Sequence, residues 1–168
     1  WLLNLWVTEI QPKVRGAELH LFTGSTTYGA VGAGKAASME RVLAQAKAMS
    51  HKGVVFRGAV SKEKLIDEFR LARCMLYRGD INETFCLAVG EAQAMGVPAV
   101  VQDRGAVIER VIDGKTGFIH STDKGFANAA VQLLKDDALW QYQHDSAVKL
   151  QRAFRWSHAA ASFEALIQ

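Results

Sequence analysis

The chain has 168 residues, enough for one domain with a sizeable core, and 49% hydrophobic with 22% charged content is ordinary for a soluble globular protein. Its net charge of +3, from 20 basic against 17 acidic residues, favours anionic ligands mildly. No dense Lys/Arg stripe appears, which argues against nucleic-acid binding, and no apolar run reaches the ~18 residues of a membrane span.

In chain order, Trp1, Leu2, Leu3, Leu5, Trp6 and Ile10 recur at helical spacing, and Pro12 ends or kinks that helix. The opening lacks the basic n-region of a signal peptide. A start on Trp, directly inside a helical pattern, reads as a piece of something longer. Glu18 to Phe22 alternates as a strand, and Thr23 to Lys35 is a Gly/Ser/Thr-rich loop. A helix from Ser38 to Met49 leads to a second strand, Val54 to Gly58. Ser61 is placed to cap a helix from Lys62 to Ala72. Cys74 to Tyr77 is a third strand. A helix from Phe85 to Met95, a Gly96-Val97-Pro98 turn and a buried strand from Ala99 to Gln102 follow. Arg104 to Arg110 is a loop with a short helix, and Asp113 to Gly117 a turn into the strand Phe118 to His120. The remainder is helical, over Phe126 to Lys135, Leu139 to Phe154 and Ser157 to Ile167, with Trp140, Tyr142, Phe154, Trp156 and Phe163 spaced as core anchors.

Strands alternating with helices of this length require crossovers and imply an α/β fold with a mostly parallel sheet flanked by helices. Ligands of such sheets bind beyond the carboxyl ends of the strands. The stretch from Asp80 to Asp103 lies there. Glu83 precedes its helix and Glu91 lies about two turns inside. Between them the first backbone N–H groups, around Phe85, Cys86 and Leu87, have no intrahelical partner and form a site for an anion. That pairing suits a ligand carrying phosphate and hydroxyl groups. The simpler alternatives are capping of the helix by Asn82 or Thr84, a solvated glutamate at Glu91, and favourable charge before a helix N-terminus at Glu83.

Glu83, Phe85, Glu91-Ala92, Ala94 and Gly96-Val97-Pro98 together resemble the glutamate-x7-glutamate motif of retaining glycosyltransferases of the GT-B fold, in the large family four (group 1). Further signposts follow in the family's order: Ala17 to Phe22, Gly53 to Gly58, Arg104-Gly105-Ala106, Glu109-Arg110-Val111, Asp113-Gly114, Thr116-Gly117-Phe118 and Trp156-Ser157. The family usually has Gly where Cys86 stands and a bulky aliphatic residue at Gly90.

The resemblance implies a Rossmann-like, donor-binding C-terminal half of a GT-B enzyme. Glu91 would accept hydrogen bonds from a ribose diol, and Glu83 would contact the transferred sugar at the reacting carbon. Phe85, Cys86 and Leu87 amides would cradle phosphate, and the backbone at Arg57, Gly58 and Val60 would read the base. The donor would be a nucleoside-diphosphate sugar, bound without a metal or other cofactor. By the same comparison, the strand that opens this domain, the Arg and Lys that grip the diphosphate, and the acceptor-binding N-terminal domain all lie before Trp1. The free-standing chain would then bind nucleotide weakly and transfer nothing. A cytoplasmic location is expected, since Cys74 and Cys86 both fall in core elements and fit a reducing compartment. The resemblance leaves open whether the parent protein docks on a membrane.

Two other classes compete. Gly29 to Lys35 has the spacing of a phosphate loop, which would make the chain a nucleotide hydrolase, but Ala36 stands where the magnesium-binding Ser or Thr belongs. A non-catalytic interaction domain of the same fold is the other, with a nucleotide-sugar epimerase close behind. Neither the histidines nor the cysteines show metal-ligand spacing. Cys86, at a helix N-terminus, sits where a thiol pKa is often lowered.

Overall fold

The computed structural model describes residues 1–24 and 36–167, so the phosphate-loop-like run from Gly29 to Lys35 lies outside the described residues. The chain opens with helix α1 (Leu2–Leu5), which continues through a π-helical turn (Trp6–Ile10) and a 3-10 turn (Gln11–Lys13). Pro12 sits in that last turn, where its missing N–H and fixed φ end the helix. Five strands and their helices follow: β1 (Leu19–Leu21), α2 (Ala36–Ala48), β2 (Val54–Phe56), α3 (Lys62–Leu71), β3 (Met75–Tyr77), α4 (Leu87–Ala94), β4 (Ala99–Gln102), a 3-10 segment (Gly105–Arg110) and β5 (Gly117–His120). Three helices close the chain: α5 (Asp123–Lys135), α6 (Asp137–Gln151) and α7 (Trp156–Glu164).

Among the described residues every pairing is parallel, as the alternation of strands and helices requires. The strands do not join into one sheet, however. β1 pairs with β2, and β3, β4 and β5 form a second sheet with β4 in the middle. β4 is buried along its whole length, and its side chains alternate between two cores. Val100 joins Leu3, Trp6, Ile10, Leu19, Val54 and Phe126, so the N-terminal helix binds both sheets through one apolar cluster. Ala99 and Val101 point the other way, into a smaller cluster with Cys86, Val89, Val107 and Val111 beneath α4.

The unpaired edges are poorly covered. All of β3 is half-buried, as are His20 and Leu21 of β1, and α3 buries none of its side chains despite its apolar stripe.

Glycine is required where the turn before β5 meets β4. A Cβ on Gly117 (φ +152°) would stand 1.9 Å from the carbonyl oxygen of Ala99. The Asp113-Gly114-x-Thr116-Gly117 signpost is structural for the same reason. Asp113 Oδ1 accepts from the Ile119 amide (2.9 Å), and Thr116 Oγ1 accepts from the Ile112 amide (2.9 Å) and from Gln93 Nε2 (3.2 Å).

The C-terminal aromatics depart from the expected core role. Phe154, Trp156 and Phe163 are 71%, 91% and 71% exposed, and Tyr142 is also exposed. Only Trp140 of that group is anchored, its Nε1 donating to the Arg73 carbonyl at 2.7 Å while its ring stacks on His144. Helical spacing marks one face of a helix without saying what covers it. Among the described residues no helix is long and apolar enough to cross a membrane.

Phe126→Ala should destabilise the domain by about 3–5 kcal/mol in urea denaturation, because the ring is fully buried between α1 and the sheets. Trp156→Ala should change stability by no more than about 0.5 kcal/mol, the range of an ordinary surface site.

Candidate functional site

The loop from β3 to α4 carries the candidate site, and it is held by its own polar groups. Asp80 Oδ1 accepts from the Asn82 amide at 2.8 Å, and the Asp80 carbonyl accepts from the Glu83 amide at 3.0 Å. The Glu83 carbonyl in turn accepts from Ala106 N–H at 3.0 Å. Gly105 makes this approach feasible: at φ +56°, a Cβ there would lie 2.2 Å from the Asp80 carbonyl oxygen. Arg104-Gly105-Ala106 thus braces the loop from behind.

The Glu83 side chain closes the corner. Its Oε2 accepts from the Tyr77 hydroxyl at 2.7 Å and its Oε1 from the Cys86 amide at 3.1 Å. Burial pushes the Tyr77 pKa upward, and the hydrogen bond to Glu83 and its negative charge push the same way, so the phenol stays protonated and donating. Glu83 therefore satisfies the corner before α4, and neither Asn82 nor Thr84, the simpler alternatives, caps that helix among the described residues.

Cys86 is the N-cap of α4 and stands at φ +53°, ψ +68°, a non-glycine residue in the left-handed region. The family's usual Gly at this position has a physical reason: no Cβ meets the preceding carbonyl there. The left-handed corner also moves the helix start to Leu87 rather than Phe85. The Cys86 amide is already spent on Glu83, so the free first-turn donors are those from Leu87 onward. The cysteine does not gain the reactivity of a helix-terminal thiol either. Burial pushes its pKa up, outweighing the nearby N–H dipoles.

Phe85 turns outward and is 57% exposed. The Arg110 guanidinium lies over its ring at 3.4 Å from the centroid, and Arg110 Nε donates to the Phe85 carbonyl at 2.6 Å. The buried face of α4 comprises Val89, Ala92 and Gln93, whose Oε1 accepts from Gln151 Nε2 at 2.7 Å.

Glu91 is the fifth residue of α4, a little over one turn from its start. It faces α3, where it pairs with Lys62, the first residue of that helix. Ser61 caps α3 as expected, its Oγ accepting from Lys64 N–H at 3.4 Å. A groove of about 170 Å³ runs past this ion pair, walled by Leu65, Ile66, Phe69, Ala94 and Met95. Arg57, Gly58 and Val60 follow β2 at the same carboxyl-terminal edge of the strands. The Arg57 side chain turns to β1 and α3, with Nε at 3.4 Å from His20 Nδ1 and 3.8 Å from a Glu68 oxygen. Gly58 has φ +74° and open space where a side chain would project.

The structure thus unites Glu83 with Cys86, and Glu91 with the N-terminus of α3. Three participants were not singled out as site residues by the sequence: Tyr77, Lys62 and Arg110. Tyr77 had a readable signal, since it is the last residue of a strand whose next loop carries the acid. The other two come together only through packing.

The profile described as "Glycosyl transferases group 1" matches residues 3–136. The chain belongs to this family. It is 35% identical over 111 residues to the D-inositol 3-phosphate glycosyltransferase of Streptomyces avermitilis, covering 65% of this chain and 24% of that protein. Among solved structures, Anabaena HepE in complex with UDP and glucose superposes with a TM-score of 0.75 at 15% identity, over 98% of this chain and 44% of that one. The sucrose-phosphate synthase of Thermosynechococcus elongatus also gives 0.75, at 22% identity, over 98% of this chain and 41% of that one. The chain therefore spans about a quarter of the length of the first curated relative and under half of these structures. The expected α/β, Rossmann-like fold of a group 1 glycosyltransferase domain is the one observed, and the family places the hydrolase reading aside.

The strain at Cys86 can be isolated by comparing two substitutions that both delete the thiol. Cys86→Gly should be more stable than Cys86→Ala by about 1 kcal/mol, read from denaturation midpoints at equal m-value.

Proposed function

We propose that this domain binds the donor of a retaining glycosyltransferase that moves a sugar from a nucleoside-diphosphate sugar to an acceptor hydroxyl. The observation that carries the reading is a braced carboxylate, Glu83, beside the free N-terminus of α4 at the carboxyl edge of a parallel sheet, in a chain of this family. The similarity to a structure in complex with UDP and glucose supports the donor class.

In this reading the diphosphate sits against the amides from Leu87 onward, where the helix dipole favours negative charge. Glu91 takes the ribose hydroxyls. Lys62 already holds that carboxylate at the mouth of the α3–α4 groove, so the diol has to share or replace an ammonium contact. Backbone at Arg57, Gly58 and Val60 lies along the base. Glu83 orients the transferred sugar. The leaving diphosphate is stabilised by fixed N–H dipoles and by cations rather than by a bound metal, an electrostatic form of catalysis.

We further propose that the domain is completed by chain preceding Trp1: a parallel strand between the free edges of β1 and β3, then an acceptor-binding domain. The half-buried residues of β3, β1 and α3 support this, since one strand seated there would cover all three. A reducing, cytoplasmic setting accords with the free thiols Cys74 and Cys86.

Titrating the full-length protein with UDP, GDP and ADP, and with ATP plus magnesium, tests the assignment by ligand-observed NMR. One diphosphate should bind, Glu91→Ala should weaken it by about 10- to 100-fold, and Lys35→Ala should leave it unchanged. Preferential ATP binding that depends on Lys35 would reverse the conclusion. An N-terminal extension long enough for one strand should also raise the urea midpoint and slow amide exchange in β1 and β3; an unchanged midpoint counts against the missing-strand proposal.

A further inference from the structure

We infer that Tyr77 is a positioning residue for Glu83, and that recognition of the donor's sugar runs through this tyrosine–carboxylate pair. The inference rests on the glycosyltransferase reading above and goes beyond it by naming what sets the geometry of the acid.

A glutamate carboxylate offers about four acceptor positions on two oxygens. In this site one position on each oxygen is filled, Oε2 by the Tyr77 hydroxyl at 2.7 Å and Oε1 by the Cys86 amide at 3.1 Å. Each oxygen keeps a second position for a ligand, and the plane of the carboxylate is set by two donors approaching from different elements. Both donors stand on rigid supports. Tyr77 ends β3 in register with the fully buried Val101 of β4, and its ring packs against the cluster of Cys86, Val89 and Val107. The Cys86 amide is fixed by the left-handed corner that starts α4. A long, rotamer-rich acid is thereby held in one orientation before any ligand arrives, the condition for it to discriminate between hydroxyl configurations on a sugar ring.

A purely structural account of Tyr77 is testable against this one. The ring fills space in the small core, and phenylalanine would fill the same space. Only the hydroxyl reaches Glu83. Removing the oxygen should therefore leave the fold and the nucleotide contacts intact while freeing the carboxylate to rotate.

The experiment uses the full-length protein, wild type and Tyr77→Phe, titrated with UDP, GDP and ADP and with the glucose conjugate of each. For the diphosphate that binds, Tyr77→Phe should change affinity by less than about twofold, whereas the extra affinity contributed by the sugar should fall by about tenfold. In turnover, the donor KM should rise by about tenfold, in step with the lost sugar-dependent affinity. Glu83→Ala should lose the sugar-dependent affinity as well, and adding Tyr77→Phe to it should have no further effect. Equal weakening of the diphosphate and its conjugate would show a structural role and overturn the inference. So would an unchanged sugar contribution, or additive losses in the double variant. If no diphosphate binds the wild type, the glycosyltransferase reading itself fails and this inference falls with it.

Discussion

A chain leaving the carboxyl end of a parallel strand has to turn and start a helix within a few residues, and its polar backbone needs partners while it does so. Here the loop from Asp80 to Cys86 meets that demand largely through one side chain. Glu83 ties Tyr77 of β3 to the Cys86 amide at the start of α4, and its own backbone is tied forward to Ala106 and back to Asp80. With those contacts in place, Cys86 is held in a left-handed conformation that a non-glycine residue rarely adopts. The corner also sets where α4 begins, at Leu87.

The charged groups around this edge meet specific partners, two of the contacts ionic and one with an aromatic ring. Glu91 faces Lys62, Arg57 faces Glu68, and Arg110 lies over Phe85 with one N–H on that residue's carbonyl. Exposed pairs of this kind add little to stability, about 0–1 kcal/mol each. Cys86 fits the same picture as a packed, protonated thiol rather than a nucleophile, because burial dominates its surroundings.

The supporting architecture is uneven. β4 is covered on both faces and divides two apolar clusters, as a central strand of an α/β sheet should. β1 and β3, by contrast, each carry an unpaired edge among the described residues and remain half-buried. Glu83 is carried by the three-stranded sheet, on the loop between β3 and α4.

The sequence by itself determined the order and type of the elements, because a strand's period of two and a helix's period of 3.6 are local properties that Gly and Pro interrupt. It also determined the family, through signposts such as Arg104-Gly105-Ala106 and Asp113-Gly114, whose glycines and polar side chains serve backbone contacts that few other residues can make. The tertiary structure alone decided which groups meet. The hydroxyl of Tyr77 on Glu83, Lys62 on Glu91 and Arg110 on Phe85 join residues from different elements. No local period encodes such meetings. It decided, too, that α4 begins at Leu87, since the backbone angle of Cys86 is imposed by its neighbours against its own preference. The exposed aromatics Phe154, Trp156 and Phe163 make the same point from the other side: a helical stripe specifies that something can be covered, and only packing specifies whether it is.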